Sequence, residues 1–136
     1  MAVHIKGKGL TRDTNYEPGI KHQQGICSKT IENIDPPFTL QHVIKPPGHV
    51  GSAHYHIHCA RGTLVLKGRL RHFHGPLHNQ QVFESEAGDY IYTPKGEIHY
   101  TVNLSDTEPV EFVTTYVGVT DVRQSGKVVV EPNPKH

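Results

Sequence analysis

Residues 88–103 read Gly88-Asp89-Tyr90-Ile91-Tyr92-Thr93-Pro94-Lys95-Gly96-Glu97-Ile98-His99-Tyr100-Thr101-Val102-Asn103. Gly88 opens a strand, Pro94 and Gly96 set a tight turn, and His99 heads the returning strand with its side chain alternating inward. The stretch therefore predicts β-structure that carries an imidazole into a sheet interior.

The same grammar extends in both directions. Short segments rich in Val, Ile, Thr, Tyr and Phe recur between Gly and Pro: FTLQHVI (38–44), GTLVLKGRLRHFH (62–74), VEFVTTYVGV (110–119) and KVVVEP (127–132). Alternation in Thr63-Leu64-Val65-Leu66-Lys67 and Tyr100-Thr101-Val102-Asn103-Leu104 turns neighbouring side chains to opposite faces. No amphipathic helix of three turns is visible, so the expected class is all-β, an antiparallel sandwich or jelly-roll barrel. Residues 1–36 are less patterned and read as an extended N-terminal arm, because Asp35-Pro36-Pro37 enforces an extended entry into the strand at Phe38. The barrel is expected over 37–130 and a frayed tail over 131–136, all within one domain.

With 14 Lys and Arg against 13 Asp and Glu, the chain has no charge field for collecting phosphates, and nucleic acid is not an expected partner. No apolar run approaches the length of a bilayer span, and the first twenty residues do not read as a leader, so no membrane is expected and the expected location is cytoplasmic. Two cysteines, Cys27 and Cys59, are fewer than small secreted scaffolds use and read as reduced thiols. The unusual number is 12 histidines, five of them between His49 and His72, which turns attention to metal or proton chemistry.

His54-Tyr55-His56 follows the glycine-rich turn Pro46-Pro47-Gly48-His49-Val50-Gly51 and opens a strand. Residues two apart on a strand share a face, so both imidazoles can aim at one point inside a barrel, with His99 arriving from another strand. A metal needs ligands from separate elements that converge in this way.

These two stretches resemble the motifs of the cupin superfamily. Gly48, His54, His56 and Gly68 occupy the first motif, and Gly88, Pro94, Gly96, His99 and Asn103 fill every position of the second. In a chain of this composition the second motif arises by chance only roughly a few times in ten thousand, so the match is specific. The stretch from Asn103 to Pro109 also resembles many small bacterial cupins. The resemblance implies a double-stranded β-helix, a homodimer, and a metal on three histidines and a glutamate.

One position departs from the family. Where its glutamate stands, this chain has Arg61, preceded by Ala60. A guanidinium stays protonated and offers no lone pair, so either His54, His56 and His99 alone are the ligands, as in three-histidine cupin dioxygenases, or the site has decayed and no longer holds metal; retention of all three imidazoles favours the first. A divalent ion on three neutral ligands keeps its full charge and favours a small anionic chelating substrate, whose carboxylate Arg61 would clamp if it points inward; otherwise Arg61 is a solvated cation. His58 continues the alternation as a fourth ligand, a base or a rim residue, so His58 and Arg61 are the candidate catalytic residues.

His72 and His74 flank Phe73 and line either the barrel mouth or, as is more ordinary, a solvent face. Cys59 reads as a packed thiol, Tyr90, Tyr92 and Tyr100 as barrel packing, and Asn103 as a turn-tying amide, with Thr63, Val65 and Phe112 lining the pocket. The expected activity is that of a mononuclear non-haem Fe(II) dioxygenase. The same ligands suit zinc, nickel, manganese or copper, which keeps open a redox-inactive lyase or isomerase and a non-catalytic small-ligand or metal-binding module.

Overall fold

The computed structural model describes residues 2–136. Ten strands follow one another: β1 (Lys21–Ile26), β2 (Phe38–Lys45), β3 (Ala53–His56), β4 (Ala60–Lys67), β5 (Arg69–His74), β6 (Gln81–Glu86), β7 (Tyr90–Thr93), β8 (His99–Asn103), β9 (Val110–Val117) and β10 (Lys127–Glu131). The only helical element among the described residues is a single 3-10 turn, Val122–Gln124. The strands form two five-stranded antiparallel sheets, in the orders β1-β2-β9-β4-β7 and β10-β3-β8-β5-β6. This is the all-β jelly roll that the strand pattern predicts.

Alternation sets which residues meet inside. On β2, Thr39, Gln41, Val43 and Lys45 are buried, and β9 pairs with it over eight consecutive residues from Phe38↔Val117 to Lys45↔Val110. The interior is apolar at both ends: Ile20, Val43, Val65, Leu70, Val110 and Phe112 pack at one, and Cys59, Tyr116, Val119 and Val122 at the other. Each such side chain withdrawn from water contributes about 1.5–3 kcal/mol, which holds the sheets together around a polar middle.

Gly68, at the turn from β4 to β5, has φ 88°, and a Cβ there would stand 3.1 Å from both Pro109 O and Val110 Cα. Only glycine lets the turn lie this close to the start of β9. The turn at Pro94-Lys95-Gly96 differs from an ordinary hairpin, because β7 and β8 belong to different sheets. It is a corner, anchored by Gly96 N donating to His56 O at 2.9 Å.

Three expectations need correction. The N-terminal arm is not all arm: residues 21–26 form β1, an edge strand on β2, and Ile20 is fully buried in the core. The tail is not frayed, because Tyr100, 2% exposed, donates its hydroxyl to Lys135 O at 3.0 Å, and a buried phenol needs such a partner. Tyr90 and Tyr92 are 80% and 72% exposed, since alternation on the short edge strand β7 turns Ile91 and Thr93 inward instead.

Candidate metal centre

His54 and His56 on β3 and His99 on β8 all point into the polar middle and are buried. His54 and His99 are direct cross-strand partners, with ring centroids 4.4 Å apart; the other two pairs lie at 5.0 and 5.5 Å. One ring nitrogen from each histidine falls within 4.8 Å of the other two.

Hydrogen bonds fix which nitrogens face the centre. Nδ1 of His54 donates to Ser52 O at 2.7 Å, and Nδ1 of His99 donates to Glu97 O at 2.9 Å, so both keep their lone pair on Nε2. His56 pairs Nδ1 with the Ser125 hydroxyl at 2.8 Å, and its buried Nε2 has no partner. A backbone or hydroxyl partner on the far nitrogen is how proteins orient metal-binding imidazoles. Burial, with Lys127 adding to it, lowers the His54 pKa to about 3; burial and the nearby Arg61 charge lower His56 to about 2 and push His99 well down. All three are neutral at pH 7, as metal ligation requires. The orphaned Nε2, the locked tautomers and the all-imidazole donor set fit a borderline divalent ion.

Arg61, on β4 of the facing sheet, points inward. Its Nη1 donates to His99 Nε2 at 3.2 Å and its guanidinium carbon lies 5.9 Å from the Tyr116 ring centre. Among the described residues no Asp, Glu or Cys joins the cluster. His58 does not reach it. The strand ends at His56, the backbone N–H of Ile57 and His58 turn away to Gly126 and Ser125, and His58 is exposed.

His72 and His74 are buried rather than solvent-facing. The inner face of β5 is Leu70, His72 and His74, while Phe73 points outward and stacks on Tyr100 at 4.4 Å, in an apolar layer with Ala53 and Val102 on the outside of this sheet. His74 stacks on His99 at 5.7 Å and bonds Glu97 at 3.0 Å, and His72 bonds the Ser85 hydroxyl at 2.7 Å.

Several residues of the cavity escaped the sequence reading, the polar ones with most bearing on its chemistry among them. Tyr16 and Glu17 come from the arm, Lys45 from the end of β2 and Lys127 from β10. Lys45, 7% exposed, donates to Thr101 Oγ1 at 3.0 Å and lies 5.6 Å from the Phe112 ring centre; burial lowers its pKa. Its parity with Thr39, Gln41 and Val43 was a legible signal. Burial alone would raise the Glu17 carboxyl, but Lys45 and Lys127 outweigh it and hold the pKa at about 2; Oε1 is buried without a partner. Phe112 lines the cavity as expected, whereas Thr63 and Val65 do not: Thr63 donates to Thr114 Oγ1 at 3.2 Å and Val65 packs in the apolar core. The space left is about 30 Å³, enough for roughly two waters.

Among known folds, the structure superposes on the polyketide cyclase RemF from Streptomyces resistomycificus with a TM-score of 0.72, 18% identity and 98% and 88% of the two chains covered. It superposes on an oxalate decarboxylase from Bacillus subtilis at 0.76, with 16% identity over 96% of this chain and 33% of the other. An oxalate oxidase in complex with glycolate gives 0.68, 19% identity and coverage of 88% and 59%. The chain thus spans about three fifths of the oxidase and a third of the decarboxylase. No curated protein matches the sequence. A family model described as a cupin domain matches residues 41–116, and with more than half of the chain covered this protein belongs to the cupin family.

Proposed function

We propose that this chain is a metal-dependent cupin enzyme, a mononuclear non-haem Fe(II) dioxygenase acting on a small anionic chelating organic molecule. The observation that carries the reading is the convergence of three neutral imidazoles, two with Nδ1–H committed to backbone carbonyls so that the lone pair sits on Nε2, beside a cationic cavity. His54, His56 and His99 would hold the ion. When bound, the ion would supply a template for substrate and dioxygen and a route for electrons.

The chain's own residues supply the rest. Arg61 and Lys45 orient the substrate's anionic groups, Phe112 and Tyr116 exclude water, and Ser52, Ser125 and the Glu97 carbonyl keep the imidazoles in register. An anionic substrate also agrees with the oxalate chemistry for which two structural neighbours are named. The reading includes a homodimer formed through the uncharged groove on the outer face of β4, β7 and β9, and a cytoplasmic protein whose buried Cys27 and Cys59 stay unpaired.

A redox-inactive lyase or isomerase is the second reading, favoured by Lys45: a buried amine with a lowered pKa at the cavity can carry a proton. Elemental analysis of protein purified without added metal, followed by oxygen uptake on the iron form with chelating carboxylates and enols, separates these. Uptake that disappears in His99→Ala supports the dioxygenase. Product formation without uptake moves the assignment to the second reading, and substoichiometric metal of every kind removes both.

A further inference from the structure

The metal-facing nitrogen of His99 already has a partner. Its Nδ1–H is committed to Glu97 O, so Nε2 carries the ring's one in-plane lone pair, and Arg61 Nη1 donates to it at 3.2 Å. A metal ion would take the same lone pair. Arg61 and the ion therefore exclude one another at His99.

We infer that Arg61 is a displaceable occupant of the metal position, and that metal and a small carboxylate bind as a cooperative pair because the carboxylate draws the guanidinium off His99. The inference rests on the reading that the three histidines hold a metal, and it concerns how that metal enters.

Three observations support it. Arg61 Nε is buried with no partner, so the guanidinium is only partly satisfied where it stands. A carboxylate offers two parallel acceptors that would engage Nε and an Nη together, a stronger arrangement than one bond to a neutral ring. Second, the cavity is lined by Lys45, Arg61 and Lys127 against the single carboxylate of Glu17, an excess of basic side chains. A divalent ion entering alone stands against the Arg61 charge, so an accompanying anion is favoured on electrostatic grounds as well. Third, with Arg61 in place the free space is about 30 Å³. Withdrawal of the side chain makes room for a ligand of a few heavy atoms.

Coupling of this kind is reciprocal. Whatever factor the carboxylate adds to metal affinity, the metal adds to carboxylate affinity. The site would then discriminate against metal without substrate and against substrate without metal.

The test is a Co(II) titration of metal-free protein, followed by visible absorption at constant ionic strength, with and without acetate, which binds aqueous Co(II) weakly. Wild type should bind Co(II) about tenfold more tightly with acetate present. Arg61→Met should bind about tenfold more tightly than wild type without acetate and respond to acetate far less. Arg61→Gln serves as a second variant if thermal melting shows that the Met variant is not folded. Wild-type affinity indifferent to acetate, together with variants no tighter than wild type, overturns the inference while leaving the metal site standing. Absence of saturable Co(II) binding in every protein, or binding that survives His99→Ala, overturns the metal reading itself.

Discussion

His54 and His99 are opposite one another across β3 and β8, and their side chains share the inner face with ring centroids 4.4 Å apart. Register alone brings two of the three imidazoles together; His56 follows because it is two residues from His54. Losing either partner leaves two ligands. Metal affinity should fall at least about 100-fold in His54→Ala or His99→Ala, more than the loss of an outer hydrogen bond. Ser125→Ala, which removes the partner of His56 Nδ1, should cost 10- to 100-fold. Competition against a coloured chelator measures both, and affinities unchanged in His54→Ala would reject the site.

Acid should unfold the protein through its buried histidines, at or just above the carboxylate range. Burial holds His22 at about 4, His54 and His72 at about 3 and His56 at about 2, against about 6.5 in an unfolded chain. Below pH 6.5 the unfolded state binds more protons than the folded state, so stability rises with pH in this window. It is fully present above pH 6.5 and is lost as pH falls. Each histidine contributes a slope of about 1.4 kcal/mol per pH unit, so four remove about 5 kcal/mol per unit below pH 6. With about 5–15 kcal/mol available to a domain, unfolding near pH 5 to 4 follows. Melting temperatures of metal-free protein at pH 7.5, 6 and 5 check this; a flat series would contradict it.

What the sequence made legible is what periodicity of two and special backbone angles encode. His54 and His56 share parity, Gly68 and Gly88 sit at positive φ, and these features put strands and ligands in place without tertiary knowledge. Which face of a strand is inner is a different matter. Phe73 and His72 have opposite parity, and only the apolar layer with Tyr100 outside the sheet reveals that the aromatic faces away from the cavity. β6 was missed because Gln81-Val82-Phe83-Glu84-Ser85-Glu86 is half polar and is ordered by pairing with β5. Glu17 and Tyr16 reach the site through a turn whose path the local sequence does not encode; the two reciprocal hydrogen bonds between the Asp13 and His22 backbones and burial of Ile20 set it.

Asn103 ties three segments together rather than serving the cavity. Its Nδ2 donates to Pro46 O and Glu108 O at 3.0 Å each, and its Oδ1 accepts from Ser105 N at 3.0 Å. At 2% exposure these groups have no water to turn to. Asn103→Ala should destabilise by about 2–4 kcal/mol, and Asn103→Asp by at least as much, because a carboxylate cannot donate to two carbonyls. Urea midpoints report the loss. Metal stoichiometry should remain that of wild type, since none of the three ligands contacts this amide.

The proposed dimer makes a separate prediction on the opposite side of the β2–β9–β4–β7 sheet. Leu40, Leu64, Tyr90, Tyr92, Val113 and Thr115 line a shallow groove there with no charged side chain among them. Tyr90 and Tyr92 stand 80% and 72% exposed on the edge strand β7. Apolar area of this kind on an isolated subunit is unfavourable, and an interface self-complementary about a two-fold axis buries it on both copies at once. Exposed tyrosines are also the side chains that anchor interfaces, so Tyr92→Glu should weaken association by about 2–4 kcal/mol, or roughly 30- to 1,000-fold in the dimer dissociation constant. Sedimentation velocity across a concentration series reads the change. Metal binding should be untouched, because Tyr92 points away from the interior, into which its neighbours Ile91 and Thr93 turn. A wild type that sediments as a monomer at high micromolar concentration would end the dimer reading and assign the groove to a different partner.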